Sequence, residues 1–337
     1  MHHKKTYKEG VSVVIVTYNG SNRIVKTLEY LSRQEAIDFD IELILVDNNS
    51  SDQTVESAKF SWKKLGAPFP LRAVTELQQG TMYARKRGAA ASQYRYMLYC
   101  DDDNWLELKY IMTAYQSITE NEQIAAVGGQ GIIELDDEIV VPSWINKFER
   151  SYGVGSQGSV TGDITFKKGC LYTAGTILDL AWLDKLYDIG FKSSLKGRDS
   201  KTLVAGEDTE LTYALKLIGG KIHYNSGMQF KHYMPAARIN WKYLRKLWWA
   251  FGYAEFVISP YNFHFTNKKA PHFYFLILRV MIKLIIRYSK NVIKGNKEGD
   301  YGDLKIMRLK GELSACLKEG CSYKSNIRMI HLLTNNK

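Results

Sequence analysis

Val11-Ser12-Val13-Val14-Ile15-Val16, running into Thr17-Tyr18-Asn19-Gly20-Ser21-Asn22, is a strand that stops in a turn. Its β-branched, apolar composition suits a parallel strand buried on both faces. The polar cluster after it supplies turn residues and then a helix N-cap. From Arg23 to Arg33, Ile24, Leu28 and Leu31 recur at helical spacing. Ile41-Glu42-Leu43-Ile44-Leu45-Val46 is a second strand. It ends in Asp47-Asn48-Asn49-Ser50-Ser51-Asp52-Gln53-Thr54, whose side chains bond their own backbone readily. Strand, helix, strand and polar loop make a βαβ unit, so the fold class is α/β with a Rossmann-like mixed sheet flanked by helices. Ligands of such sheets bind beyond the strand C-termini. No GxGxxG follows the first strand, which argues against a dinucleotide dehydrogenase.

Leu71–Glu76 fits a third strand, and Gln79-Gly80-Thr81 opens a helix through Ala91. Arg85 lies early in that helix, where the dipole does not favour a cation. It answers either a ligand phosphate or nearby acids, whereas Lys86 and Arg87 equally fit a solvated face. The apolar run Tyr96-Met97-Leu98-Tyr99 then reaches Asp101-Asp102-Asp103. Three adjacent anions at a strand end call for positive charge. A hard divalent ion, Mg²⁺ or Mn²⁺, would take carboxylate oxygens there and leave positions for phosphate. The plainer reading is an acidic turn capping the next helix. Ile124–Gly129 is a strand expected to end at Gly128 and Gly129, where bare backbone would let a ligand approach. Residues 135–163 read as a mobile surface loop, Cys170–Leu180 as a strand leading into a helix over Asp179–Ile189, and Lys192–Ala205 as a loop. Glu207-Asp208 opens a periodic helix. The pair is either an acidic cap or the seat of a general base kept ionised by the helix dipole. Gly219-Gly220 ends that helix, Lys221–Tyr224 begins a strand, and His232 follows.

The 337 residues are 45% hydrophobic and 24% charged, enough apolar material for a large core. The net charge of +11 is uneven: Lys231–Lys337 holds 20 Lys and Arg against 6 Asp and Glu. The remainder holds 26 against 29, so an anionic partner surface is expected at the tail alone. Cys100, Cys170, Cys316 and Cys321 form no CxxC pair, and Met1-His2-His3-Lys4-Lys5 lacks the apolar core of a secretory signal. Both point to a cytoplasmic setting with reduced thiols.

In this order, the Thr17-Tyr18-Asn19 turn, the Asp47–Thr54 loop, Gly80 with Ala84-Arg85, the Asp101–Asp103 triplet, Glu207-Asp208 and His232 resemble a family-2 glycosyltransferase of the GT-A fold, of bacterial surface-polysaccharide type. The resemblance runs from about Val11 to about His232. It implies inverting transfer from a nucleotide-diphospho-sugar, by family habit a UDP-sugar, to a saccharide or lipid-linked saccharide. It also implies a divalent cation. Around the nucleotide-sugar it places Thr17, Tyr18, Asn19, Asp47, Asn49, Gly80, Arg85, Asp101 and Asp102. For the metal it implies Asp101 and Asp103 as the DxD positions, with His232. Asp208 matches the family's base, with Glu207 beside it. Many relatives have Ala-Arg-Asn where this chain has Ala84-Arg85-Lys86, so a polar contact at position 86 is in doubt.

The corresponding division is a tail at 1–10 and a GT-A domain at 11–235. Its nucleotide-sugar half is about 11–130 and its acceptor half about 131–235. A helical basic region covers 236–337. Within the last, Arg238, Trp241, Tyr243, Leu244, Arg245, Trp248, Trp249 and Phe251 suit either an acceptor cleft or a membrane interface. In Phe273–Tyr288, Arg279, Lys283 and Arg287 interrupt the apolar run and rule out a spanning helix. Their four-residue spacing leaves two readings: an in-plane helix on the inner face of the cell membrane, or a helix packed on the body with a solvated basic stripe. Two rival functions remain. A sugar nucleotidyltransferase would need a Gly-rich basic loop after the first strand, which Thr17-Tyr18-Asn19-Gly20 is not. A non-enzymatic binder of anionic surfaces explains the tail but not the acids. Nucleic acid is not expected as a partner, because those acids would repel its phosphates.

Overall fold

A computed structural model describes residues 6–136, 138–195, 197, 203, 205–294 and 298–335. Met1–Lys5, and Arg198, Asp199 and Ser200 of the expected 192–205 loop, lie outside the described residues.

The βαβ unit is present as β1 (Lys8–Thr17), α1 (Ile24–Ser32) and β2 (Ile41–Asp47). It continues through α2 (Thr54–Lys64), β3 (Leu71–Thr75), α3 (Thr81–Ala91) and β4 (Tyr94–Asp101). These four strands are parallel, with Val13 opposite both Leu43 and Leu98. Every residue of β2 is buried, as expected of a strand covered on both faces. Three polar residues of these strands satisfy one another: Ser12 Oγ donates to Glu42 Oε1 (2.7 Å), and Arg72 Nε pairs with Glu42 Oε2 (2.9 Å). On α1, Ile24, Leu28 and Leu31 turn to the sheet, each contributing roughly 1.5–3 kcal/mol by leaving water. α3 approaches the sheet closely because Gly88 has no side chain. A Cβ there would lie 2.3 Å from Val14 Cγ1.

The chain goes on as β5 (Asn104–Leu106), α4 (Tyr110–Thr119), β6 (Ile124–Glu134), α5 (Ile145–Phe148), β7 (Gly162–Asp163), β8 (Ile177–Asp179), α6 (Leu180–Asp188), α7 (Glu207–Leu217) and β9 (Lys221–Tyr233). The strands form one mixed sheet in the order β3-β2-β1-β4-β8-β6-β9-β5, with β7 beside β9.

Three expectations need correction here. β6 runs straight through Gly128 and Gly129 to Glu134. A Cβ on Gly129 would meet the Met228 carbonyl oxygen at 2.3 Å, and one on Gly128 would meet Leu171 at 2.6 Å, so these glycines admit neighbouring protein, not a ligand. Residues 135–163 are no free surface loop: Trp144, Ile145, Phe148 and Tyr152 pack into a core with Trp241, Leu244 and Leu304. Only Ile177–Asp179 of the expected 170–180 strand is extended in the sheet. Gly175 ahead of it takes a φ of 68° and gives its carbonyl oxygen to the Tyr110 hydroxyl.

The basic region is four helices: α8 (Trp241–Phe265), α9 (Phe273–Lys294), α10 (Tyr301–Lys318) and α11 (Gly320–Asn335). α8 and α10 cross at backbone distance. A Cβ on Gly252 would lie 1.8 Å from the Arg308 carbonyl oxygen, and one on Gly311 would lie 1.9 Å from that of Trp249. Phe256, Val257 and Tyr261 of α8 join the same core as Leu211 and Leu215 of α7. The change at 235/236 is therefore one of secondary structure, while packing continues across it. From α9 the body buries the line Leu276, Val280, Leu284 and, further along, Asn291, with Phe273 and Ile277 half-buried against the same core. No helix among the described residues is long and apolar enough to cross a membrane.

Candidate active site

The C-terminal ends of β1 and β4, the N-termini of α3 and α7, the end of β9 and one side of α8 enclose a cavity of about 550 Å³. Its floor depends on a turn network after β1 and β2. Asn19 takes a φ of 47°, its N–H donates to Ser50 Oγ (2.9 Å), and its Oδ1 accepts from the Ser51 N–H (2.8 Å). Asp47 Oδ1 accepts from the Ser50 N–H at 3.2 Å. Asn48 is buried and fully used: it donates to the Glu76 and Gln78 carbonyls and accepts from the Gly80 N–H (2.8 Å). It thereby holds Gly80, whose φ of 137° favours glycine, at the start of α3.

Of the residues proposed for the nucleotide-sugar, Thr17, Tyr18, Gly80, Arg85, Asp101 and Asp102 line the cavity. Asn19, Asp47 and Asn49 are not in its wall; Asn19 and Asp47 brace the loop behind it, in which Asn49 takes a φ of 63°. Asp103, Glu207, Asp208 and His232 also line it. The sequence reading passed over Asn48 and Arg23, and it gave Arg238 no role against the acids. Asn48 sat in the quoted loop, but its partners are 28–32 residues away, beyond any local pattern.

The triplet is divided. Asp102 is clamped by Arg23, with Nε to Oδ1 at 3.1 Å and Nη2 to Oδ2 at 2.9 Å, and it accepts from Thr17 Oγ1 at 2.6 Å. Burial, and then the neighbouring Asp103, push its carboxyl up to about 6, against the pull of Arg23 and Thr17. Asp103 is also buried, which alone would raise it. His232 Nε2 (3.4 Å) and Arg238 Nη1 (3.2 Å) outweigh that and hold it well below the usual carboxylate range. Asp101 is the most open of the three, with Arg85 Nη2 3.8 Å away.

The second acidic pair is divided in the same way. Glu207 is buried, and its Oε1 accepts from Arg85 Nη1 (3.1 Å) and Thr81 Oγ1 (3.4 Å). Arg85 thus joins the two acidic sites, over the Tyr99 ring at 5.5 Å. Asp208, in the first turn of α7, is more exposed, and its Oδ1 accepts from the Thr209 N–H at 2.7 Å. Lys86 and Arg87 are exposed, as a solvated face requires.

Buried polar atoms in folded proteins are nearly always paired. Five side-chain atoms among the described residues are buried without a hydrogen-bond partner. Three of them, Arg85 Nε, Glu207 Oε2 and His232 Nδ1, belong to residues that line this cavity. Six carboxylates and five arginines share the wall, so a diphosphate entering it meets an excess of negative charge. Asp101 and Asp103 offer hard oxygen donors on the same wall as the His232 imidazole, a donor chemistry that fits a divalent ion. Among the described residues, no three His, Cys, Asp or Glu side chains are already gathered into a metal-binding group.

Residues 12–170 match the family model described as glycosyl transferase family 2. The chain is 28% identical over 119 residues to glycosyltransferase GlyA of Streptococcus pneumoniae, covering 35% of this chain and 16% of that protein. It is 28% identical over 115 residues to an uncharacterised glycosyltransferase of Haemophilus influenzae, covering 34% of this chain and 36% of that one. It therefore spans well under two thirds of the length of these curated relatives. In fold it resembles the crystal structure of GalNAc-T7 with UDP, GalNAc and Mn²⁺. The TM-score is 0.50 at 13% identity, over 74% of this chain and 50% of that one. The mixed sheet with its flanking helices is the GT-A fold.

Proposed function

From a family-2 glycosyltransferase domain at residues 12–170, we propose that this chain is an inverting glycosyltransferase. It moves a sugar from a nucleotide-diphospho-sugar, with UDP as the nucleotide, to a hydroxyl of a saccharide or lipid-linked saccharide in cytoplasmic assembly of surface polysaccharide. The observation that carries the reading is the grouping of unpartnered buried atoms on Arg85, Glu207 and His232 around one cavity that also holds the Asp101–Asp103 triplet.

The nucleotide end lies against Thr17, Tyr18 and Gly80, where the floor is fixed by Asn48. Asp208 accepts the proton of the acceptor hydroxyl as that oxygen bonds to the anomeric carbon. The bond from that carbon to the diphosphate breaks, its electron pair leaves with the nucleoside diphosphate, and attack from the opposite face inverts the centre. Asp208 suits the task because the N-terminus of α7 favours its ionised form. Glu207 is spent on Arg85 and positions that helix start. Arg238 places positive charge beside Asp103, where the diphosphate would lie, and His232 Nε2 reaches the same carboxylate. A divalent cation, Mg²⁺ or Mn²⁺, held by Asp101 and Asp103 with His232, supplies further positive charge to the leaving diphosphate when bound.

A thermal-shift panel of UDP, GDP, dTDP and CDP, each with and without Mn²⁺, tests this on the wild type and Asp103→Ala. Stabilisation by UDP that needs both the metal and Asp103 is expected. A shift with another nucleotide would change the donor, and no shift with any of them would remove the transferase reading.

A further inference from the structure

α9 has two apolar stripes, and the body uses one. An amphipathic helix of a soluble protein turns its single apolar stripe to the core. Here Leu276, Val280 and Leu284 do that. A second stripe, Tyr274, Leu278, Met281, Ile282 and Ile285, faces outward at the same three-to-four-residue spacing. Phe275 and Ile286 widen it. Leu278 is 56% and Ile285 64% exposed, values that an isolated surface leucine shows alone but not in a row along one helix. Arg279, Lys283 and Lys290, all exposed, form a third stripe between the other two.

The charge of this helix's own stretch of sequence has one sign. From Phe256 to Lys297 the sequence holds eight Lys and Arg and no Asp or Glu. Beneath the basic edge runs a groove of about 370 Å³ in which Lys283, Arg287, Lys290, Lys305 and Arg308 outnumber Glu255 and Glu312. Glu255 and Arg308, paired at 2.7 Å, line both this groove and the reaction cavity. The basic edge of α9 therefore borders a groove that shares two lining residues with the candidate site.

We propose that α9 is a bilayer-docking helix that lies in the plane of an anionic lipid surface. Its apolar stripe enters the acyl boundary, and its basic stripe meets the headgroups. An anionic leaflet attracts each nearby Lys or Arg by about 1 kcal/mol, so the segment's charge adds to the apolar contact. A second copy of this chain is the poorer occupant, because a two-fold contact would bring two equally basic segments together. Resting on the transferase reading, the docking places the acceptor: it is lipid-borne and reaches the cavity past Arg308.

The test is sedimentation of the full chain with vesicles of phosphatidylcholine alone, or of phosphatidylcholine with phosphatidylglycerol, at low and high salt. At least tenfold more protein should pellet with the anionic vesicles, and salt should release part of it. Ile285→Glu should lower pelleting at least tenfold while the nucleotide thermal shift stays as in wild type. Equal pelleting with both vesicles, or none, overturns the inference. So does a dimer in analytical ultracentrifugation without lipid that Ile285→Glu splits. A wild-type nucleotide shift beside absent vesicle binding would refute the docking alone and leave glycosyl transfer standing.

Discussion

Two acidic sites face one another across the cavity, and both divide their carboxylates in the same way. At the end of β4, Arg23 holds Asp102 and leaves Asp101 open. At the start of α7, Arg85 holds Glu207 and leaves Asp208 more exposed. Neighbouring acids with nearly the same intrinsic chemistry thus sit in different surroundings, because an arginine from another element holds one closely and leaves the other more open. The sites differ in depth. The Arg85–Glu207 pair is buried on both sides, at 9% and 8% side-chain exposure, whereas Arg23 keeps 30%. A buried pair stabilises little by itself but is costly to break, since the survivor is left charged and unpaired.

That contrast can be broken in four places. Asp208→Asn should lower transfer by about 10²–10⁴-fold, the range of a lost general base, with the nucleotide thermal shift intact. Equal loss of both would remove Asp208 from its role. Glu207→Ala should destabilise the fold by about 3–5 kcal/mol in urea melts, because Arg85 remains buried with only the more distant Asp101 to answer its charge. If it instead left stability unchanged and abolished transfer, the two acids of the pair would exchange roles. Asp102→Ala should cost less, about 1.5–3 kcal/mol, since its lost charged hydrogen bonds come from an arginine that can turn to water. A cost equal to that of Glu207→Ala would erase the difference in depth. Lys86→Ala, one residue from Arg85 but on the exposed face, should stay within about 0.5 kcal/mol of wild type in the same melts and transfer at an unchanged rate.

The acids themselves were visible in the sequence, as were the strands that deliver them. Val11–Val16, Ile41–Val46 and Tyr96–Tyr99 are buried on both faces, so their composition declares them without tertiary information. What divides the acids was not visible. Arg23 meets Asp102 across 79 residues and Arg238 meets Asp103 across 135, and nothing local marks such a pairing. Gly128 and Gly129 were misread because a bare backbone signals close approach without naming what approaches. Residues 135–163 were misread because Gly and Ser make up seven of the twelve residues from Ser151 to Gly162. The spacing of Trp144, Phe148 and Tyr152, each four apart, was the signal of a packed face within them. α9 shows the opposite limit. Its two competing readings were both present in the sequence, and only the packing reveals that one apolar stripe is used and another left open.

The Gly206 backbone rests on α8, where a Cβ would come within 2.8 Å of the Ala254 methyl. Gly206 is the last residue before Glu207 and Asp208, so the acidic end of α7 is propped from the far side of residue 235. The Phe251, Glu255, Ile258 and Asn262 side chains of the same helix close one wall of the cavity. The molecule is therefore indivisible at that boundary. A protease that cut after β9 and allowed α8 to leave would take away one wall of the cavity together with the support of Gly206.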